Sequence, residues 1–204
     1  MTRVKVCGIR RIEDADLAVR LGASAVGFVL WDRSPRRIGT SEASKIARAI
    51  PPLVTRVGVF VDATPQEVAA AVREIGLDAV QLHGDERVED YAGVPARVIK
   101  ALSPTTDEDV TAAIGLPPAV AVLVDAHAPV ERGGTGQPAD WTRAAAIARA
   151  RPILLAGGLT AASVGEAIRQ VSPWAVDVSS GVEDAPGIKS ARRMQEFFAA
   201  VGAA

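Results

Sequence analysis

The chain of 204 residues carries 23 lysines and arginines against 24 aspartates and glutamates, a formal net charge of -1 at neutral pH. That balance leaves no electrostatic footprint for nucleic acid or an acidic membrane surface, and no apolar run approaches the roughly 20 residues of a membrane span. Hydrophobic side chains make up 49% and charged ones 23%, enough for a sizeable core under an ordinary polar surface.

In chain order, short β-branched runs alternate with Ala-rich segments of helical spacing. The first strand, Val4–Cys7, ends on the one cysteine of the chain, and Gly8 turns the backbone out of it at once. A lone cysteine has no partner for a disulfide and makes no multi-cysteine metal site, so it is either a buried hydrophobe or a thiolate used in chemistry. A helix follows over Glu13–Leu21, then a strand over Ala25–Leu30 and a loop running from Trp31 through Ser34-Pro35 to Arg36 and Arg37. Helix Ser41–Ala49 stops at Pro51-Pro52. Strand Arg56–Val61 leads to helix Pro65–Ile75, opened by Thr64 and ended by Gly76. Strand Ala79–Leu82 carries Gln81 and delivers His83. Strands Arg97–Ala101 and Val120–Asp125 come next, the second closing on a carboxylate. Glu131-Arg132-Gly133-Gly134-Thr135-Gly136 suits a closing lid. Helix Asp140–Ala150, strand Ile153–Ala156, helix Ala161–Val171 behind Thr160, and strand Ala175–Ser179 complete the series.

Most of these strands are continuous apolar runs, the pattern of a parallel sheet covered on both faces. Eight strand–helix units of roughly 25 residues would use the whole chain as a (β/α)₈ barrel, with a doubly wound open sheet as the alternative. No linker or composition shift divides it, so residues 1–204 read as one domain. The chain is short for a barrel, which demands economical helices and loops. Polar groups gather at the carboxyl ends of the strands: Cys7, Arg36, Asp62, Gln81, His83, Lys100, Asp125, Gly157, Gly158, Asp177, Ser179, Ser180 and Gly181. In a barrel that end is the working end.

Two glycine-bearing turns, Leu155-Ala156-Gly157-Gly158-Leu159-Thr160 and Val178-Ser179-Ser180-Gly181-Val182, each lead from strand to helix with bare amides, the chemistry of a phosphate site. A barrel commonly binds phosphate in the loops after strands seven and eight. Asp125 ends a strand buried on both faces, where a carboxylate is costly unless paired or functional. In a barrel it would stand across the mouth from Cys7, as acid and base. Arg36 and Arg37 read by default as a solvated basic loop, yet an arginine fork at a barrel mouth is shaped to hold a carboxylate through two parallel hydrogen bonds. His83 and His127 are the only histidines, with no HxH or HxxxH pairing to favour zinc, and no GxxxxGK(S/T) or strand-borne GxGxxG supports nucleotide binding. Lysine is scarce beside arginine, which reads as coding bias. The N-terminus enters a strand without an apolar signal region, and one free cysteine fits a reducing cytoplasm, so a cytoplasmic location is expected.

Val4-Lys5-Val6-Cys7-Gly8-Ile9 and Val176-Asp177-Val178-Ser179-Ser180-Gly181-Val182-Glu183 frame a set of familiar stretches. Between them stand Ser34-Pro35-Arg36, Val80-Gln81-Leu82-His83-Gly84, Leu123-Val124-Asp125, Gly133-Gly134-Thr135-Gly136 and Ala156-Gly157-Gly158-Leu159. Nearly end to end, the chain resembles the phosphoribosylanthranilate isomerase family of tryptophan biosynthesis. The resemblance implies a cofactor-free, metal-free (β/α)₈-barrel enzyme that isomerises N-(5-phosphoribosyl)anthranilate by an Amadori rearrangement. It implies Cys7 as general base and Asp125 as general acid, with Arg36 on the anthranilate carboxylate. Gly157, Gly158, Ser179, Ser180 and Gly181 would hold the phosphate, with Asp177 on a sugar hydroxyl and Gln81 and His83 lining the substrate site. A nearby cation or helix end would lower the Cys7 pKa, and burial would raise that of Asp125. The expected partner is a small-molecule substrate, with neither nucleic acid nor membrane, on a monomer or homodimer. Two neighbouring readings differ in residues: a bifunctional histidine–tryptophan isomerase carries aspartate at the base position, and a metal-dependent sugar-phosphate epimerase carries paired histidines and carboxylates at strand ends.

Overall fold

The computed structural model describes residues 2–125 and 141–204. Eight parallel strands form a closed barrel: β1 (Arg3–Val6), β2 (Ala25–Val29), β3 (Thr55–Phe60), β4 (Ala79–Leu82), β5 (Arg97–Leu102), β6 (Ala121–Val124), β7 (Ile153–Leu155) and β8 (Ala175–Val178). β1 pairs with β8 as well as with β2, and this second ladder shuts the sheet that the open alternative would leave ajar. Around it lie α1 (Ile12–Arg20), α2 (Thr40–Ala49), α3 (Pro65–Ile75), α4 (Asp107–Gly115), α5 (Trp141–Ala150), α6 (Val164–Val171) and α7 (Ala191–Gly202). Between β4 and β5 a 3₁₀ turn, Val88–Tyr91, replaces a full helix, which is where the short chain saves residues. Among the described residues no helix is long and apolar enough to cross a membrane.

The expected elements sit within a residue or two of these bounds, with three differences. The helix after β7 starts at Val164 rather than Ala161, because Thr160–Ser163 close on themselves: the Ser163 hydroxyl accepts from the Thr160 amide at 3.0 Å. Ser180–Val182 is a single 3₁₀ turn, followed by a hairpin of β9 (Glu183–Ala185) and β10 (Ile188–Lys189) before α7. α4 and α7 were not anticipated, although Thr106 and Asp109 form a reciprocal capping box at the start of α4, the same device that Thr64 and Glu67 build for α3. The proposed lid segment, His127 and Asp140 lie outside the described residues.

Strand periodicity sorts the side chains. Val4, Val6, Val26, Phe28, Val80, Leu82, Val122, Val124, Val176 and Val178 face outward into the main core shared with the helices. Val57, Ala79, Ile99, Leu123, Leu154 and Ala175 fill the lower interior of the barrel. Above them the inward positions turn polar, and that change of layer creates the site.

Candidate active site

One cleft at the carboxyl ends of the strands is lined by Cys7, Trp31, Arg36, Gln81, His83, Asp125, Asp177 and Ser179, with Ser34 and the apolar Val29, Val59 and Val61. Many of these are the second or fourth residue along from an interior apolar position, so the barrel alternation that buries Leu123 also presents Asp125. Two further clefts, of about 250 Å³ beside α4 with Glu86, Lys100 and Asp109 in its wall and of about 540 Å³ lined by Trp174 and Pro152, contain none of these residues.

Cys7 is held by strand register. Its amide donates to the Val178 carbonyl at 2.8 Å, and its Sγ lies 2.8 Å from where a Cβ on Gly27 would stand. Glycine in β2 therefore makes the room the thiol occupies. Gly8 has a φ of +76°, in the left-handed region, and its missing side chain lets the Arg36 stem and the Ser179 hydroxyl approach.

Beneath the thiol, Lys5 Nζ donates to Asp177 Oδ1 at 2.8 Å, with Lys5 only 1% exposed. Two buried charges are tolerated here because each answers the other; removing one would strand its partner at a cost of about 3–5 kcal/mol. Burial alone would lower the Lys5 pKa, but Asp177 and Cys7 outweigh it and hold the ammonium above its usual range. Burial pushes the Cys7 thiol up; Lys5 draws it down, Asp177 pushes it up again, and Lys189 draws it down. The cations expected near the thiol are present, yet desolvation wins, and the pKa is raised rather than lowered. Lys189 itself is lowered by burial against the pull of Glu183.

Asp125 is buried and its Oδ2 lies 3.4 Å from His83 Nε2. Gln81 Nε2 stands 3.0 Å from His83 Nδ1, so the amide donates to that nitrogen and the ring proton sits on Nε2, facing Asp125. Burial, and then Lys5, lower the His83 pKa to about 4, which keeps the ring neutral at physiological pH.

Arg36 is not a free fork. Its Nε and Nη2 donate to both carboxylate oxygens of the buried Glu183 at 2.8–3.1 Å, and Lys189 Nζ donates to Glu183 Oε1 at 2.8 Å. The two glycine turns meet backbone to backbone, since a Cβ on Gly181 would collide with the Leu159 carbonyl. Gly157 and Gly158 both have positive φ, and the amides of Gly157, Gly158 and Gly181 donate to no acceptor among the described residues. These three and Ser180 lie beside the cleft rather than in its lining. Ser179 does line it, but its hydroxyl donates to the Cys7 carbonyl at 3.2 Å.

Sequence reading missed Lys5, Gly27, Glu183 and Lys189. The signal for Lys5 was a charge inside an apolar strand, two residues before Cys7 and so on the same face.

A closed parallel barrel with ionisable side chains converging on its carboxyl end is the layout of a (β/α)₈-barrel enzyme. A family model for N-(5'phosphoribosyl)anthranilate (PRA) isomerase matches residues 4–200. The chain belongs to the phosphoribosylanthranilate isomerase family. A Pseudomonas putida N-(5'-phosphoribosyl)anthranilate isomerase is 46% identical over 200 residues, covering 98% of this chain and 97% of its own. The Thermotoga maritima phosphoribosyl anthranilate isomerase crystal structure superposes with a TM-score of 0.91 at 38% identity, covering 100% of each chain. A structure of the isomerase in complex with reduced 1-(o-carboxyphenylamino)-1-deoxyribulose 5-phosphate superposes with a TM-score of 0.88 at 37% identity, again over 100% of both chains.

Proposed function

We propose that this chain, acting as one barrel domain over residues 1–204, converts N-(5-phosphoribosyl)anthranilate into 1-(2-carboxyphenylamino)-1-deoxyribulose 5-phosphate. The observation that carries the reading is the convergence of Cys7, Asp125 and Arg36 on one cleft of a chain in this family. Asp125 gives its proton to the furanose ring oxygen as the anthranilate nitrogen lone pair expels it, leaving an open-chain Schiff base. The Cys7 thiolate then takes the C2 proton, and the electron pair moves into a C1–C2 double bond. The resulting enolamine gains a proton at C1 and loses one from its C2 hydroxyl to become the ketone. The protonated imine is itself the electron sink, so the sequence of bonds calls for no metal or cofactor.

The remaining groups position the substrate. Arg36 holds the aryl carboxylate, and Asp177 accepts from a sugar hydroxyl. The amides of Gly157, Gly158 and Gly181 and the Ser180 hydroxyl hold the phosphate, while Ser179 steadies the Cys7 backbone within reach of it. Gln81 and His83 orient the Asp125 carboxyl through the neutral ring. Anchoring both ends of the substrate brings the two proton-transfer groups into range together. Every one of these groups comes from a single chain, so the reading serves a monomer or a homodimer alike. A reducing cytoplasm suits a thiol base that must stay unoxidised.

The test is steady-state turnover of phosphoribosylanthranilate with and without a chelator, in the native chain and in Cys7→Ala and Asp125→Asn. Chelator-insensitive turnover with a loss in kcat of at least ~100-fold in each variant is expected. Near-native turnover in either variant removes its residue from the mechanism.

A further inference from the structure

We infer that Glu183 is a positioning residue for Arg36: by occupying the side edge of the guanidinium it presents the end-on edge to the aryl carboxylate of the substrate. The inference rests on the carboxylate role proposed above for Arg36. A guanidinium has five N–H donors. Glu183 takes the one on Nε and one on Nη2, at 2.8–3.1 Å, and among the described residues Nη1 meets no acceptor. Three N–H bonds remain, two on Nη1 and one on Nη2, and the outer one on Nη1 runs parallel to that on Nη2 as a second fork on the same plane.

Glu183 is fixed in turn. It is 5% exposed, and Lys189, its register partner across the β9–β10 hairpin, donates to Oε1 at 2.8 Å. The hairpin is fastened by Arg193 on the Glu183 carbonyl and by the Lys189 ammonium on the Ser179 carbonyl at 3.0 Å. At its other end the Arg36 stem lies against Gly8. The guanidinium is thus held at its stem and along one edge, with the end-on fork left uncommitted. One carboxylate between two cations also leaves the trio with a net positive charge, so it attracts an anion. Glu183 is therefore a support, and a substrate carboxylate binds beside it without displacing it.

The experiment compares KM and kcat for phosphoribosylanthranilate in four proteins: native, Arg36→Ala, Glu183→Gln and the double variant. Glu183→Gln should raise KM about 10-fold with kcat within about 3-fold, the scale of one charge-assisted bond. In the Arg36→Ala background the same change should move KM less than about 2-fold, because there is no longer an arginine to orient. An unchanged KM in Arg36→Ala overturns the carboxylate role itself. A raised KM in Arg36→Ala with none in Glu183→Gln, or equal rises from Glu183→Gln in both backgrounds, overturns only the inference, as does a lowered KM, which would make Glu183 a competitor. Glu183→Asp keeps the charge beside Lys189 while shortening the reach to both nitrogens, and it should reproduce the KM rise in a protein whose folding is not at issue.

Discussion

The two sides of the cleft are built from different materials. On the Cys7 side the thiol stands above a buried Lys5–Asp177 pair and near Lys189, whose own partner Glu183 braces Arg36. On the Asp125 side the contact from β4 is a neutral imidazole oriented by an amide. A thiol that must lose its proton benefits from cations within reach, whereas a carboxyl that must keep one does not. Full charges lie close around the proposed base, while the contact that β4 delivers to the proposed acid is a neutral ring. The separation is one of contact, since Lys5 also acts across the barrel on His83 and helps to keep that ring neutral.

Three measurements would break or sharpen that contrast. The largest effect is expected from Gly27→Ala, which leaves every charge in place but drives a methyl into the Cys7 Sγ; kcat should fall about 100-fold, as for a misplaced reacting group. Unaltered turnover would mean that the position of the thiol is not critical. Next comes Lys5→Met. Removing the cation that draws the thiol pKa down should move the rising limb of kcat/KM, along which the thiol deprotonates, to higher pH, costing about 10-fold at neutral pH for each unit of movement and recovering at high pH. Because Asp177 pushes the thiol the other way, Lys5→Met with Asp177→Asn should bring the limb back toward its native position and spare the fold a stranded charge. A loss that does not recover with pH would reduce Lys5 to a packing role. The smallest effect concerns His83, with a pKa of about 4 against an ordinary 6.5. Between those values the unfolded chain binds a proton that the folded chain refuses, so the neutral ring contributes stability that is complete above 6.5 and lost as pH falls toward 4. The Tm should decline over that window less steeply in His83→Asn than in the native chain, and kcat/KM should show no imidazole inflection near 6.5. An inflection there that disappears in His83→Asn would put a charged ring on the acid side and undo the contrast.

The strands were legible because continuous apolar runs and strand-end polar groups are local properties. Cys7, Arg36, Asp125, Gln81, His83, Asp177 and Ser179 could be nominated from those ends, and they line one cleft. The supports were harder to see. Lys5 and Asp177 are 172 positions apart, and only closure of the barrel brings them together. The Arg36–Glu183 pair spans 147 positions and depends on a hairpin too short to announce itself by periodicity. Reading lysine scarcity as coding bias hid a pattern as well. Lys5, Lys100 and Lys189 are all buried against carboxylates, Asp177, Glu86 and Glu183. Where a compact ammonium must fit inside, the bulkier planar guanidinium is no substitute.

That pattern has a practical side. With three of its four lysines buried and paired, the chain offers amine-directed reagents one exposed lysine side chain, Lys45 on the outer helix α2. A dye or surface tether coupled there would sit at a defined point on the outer helix layer, leaving the cleft and its single thiol untouched.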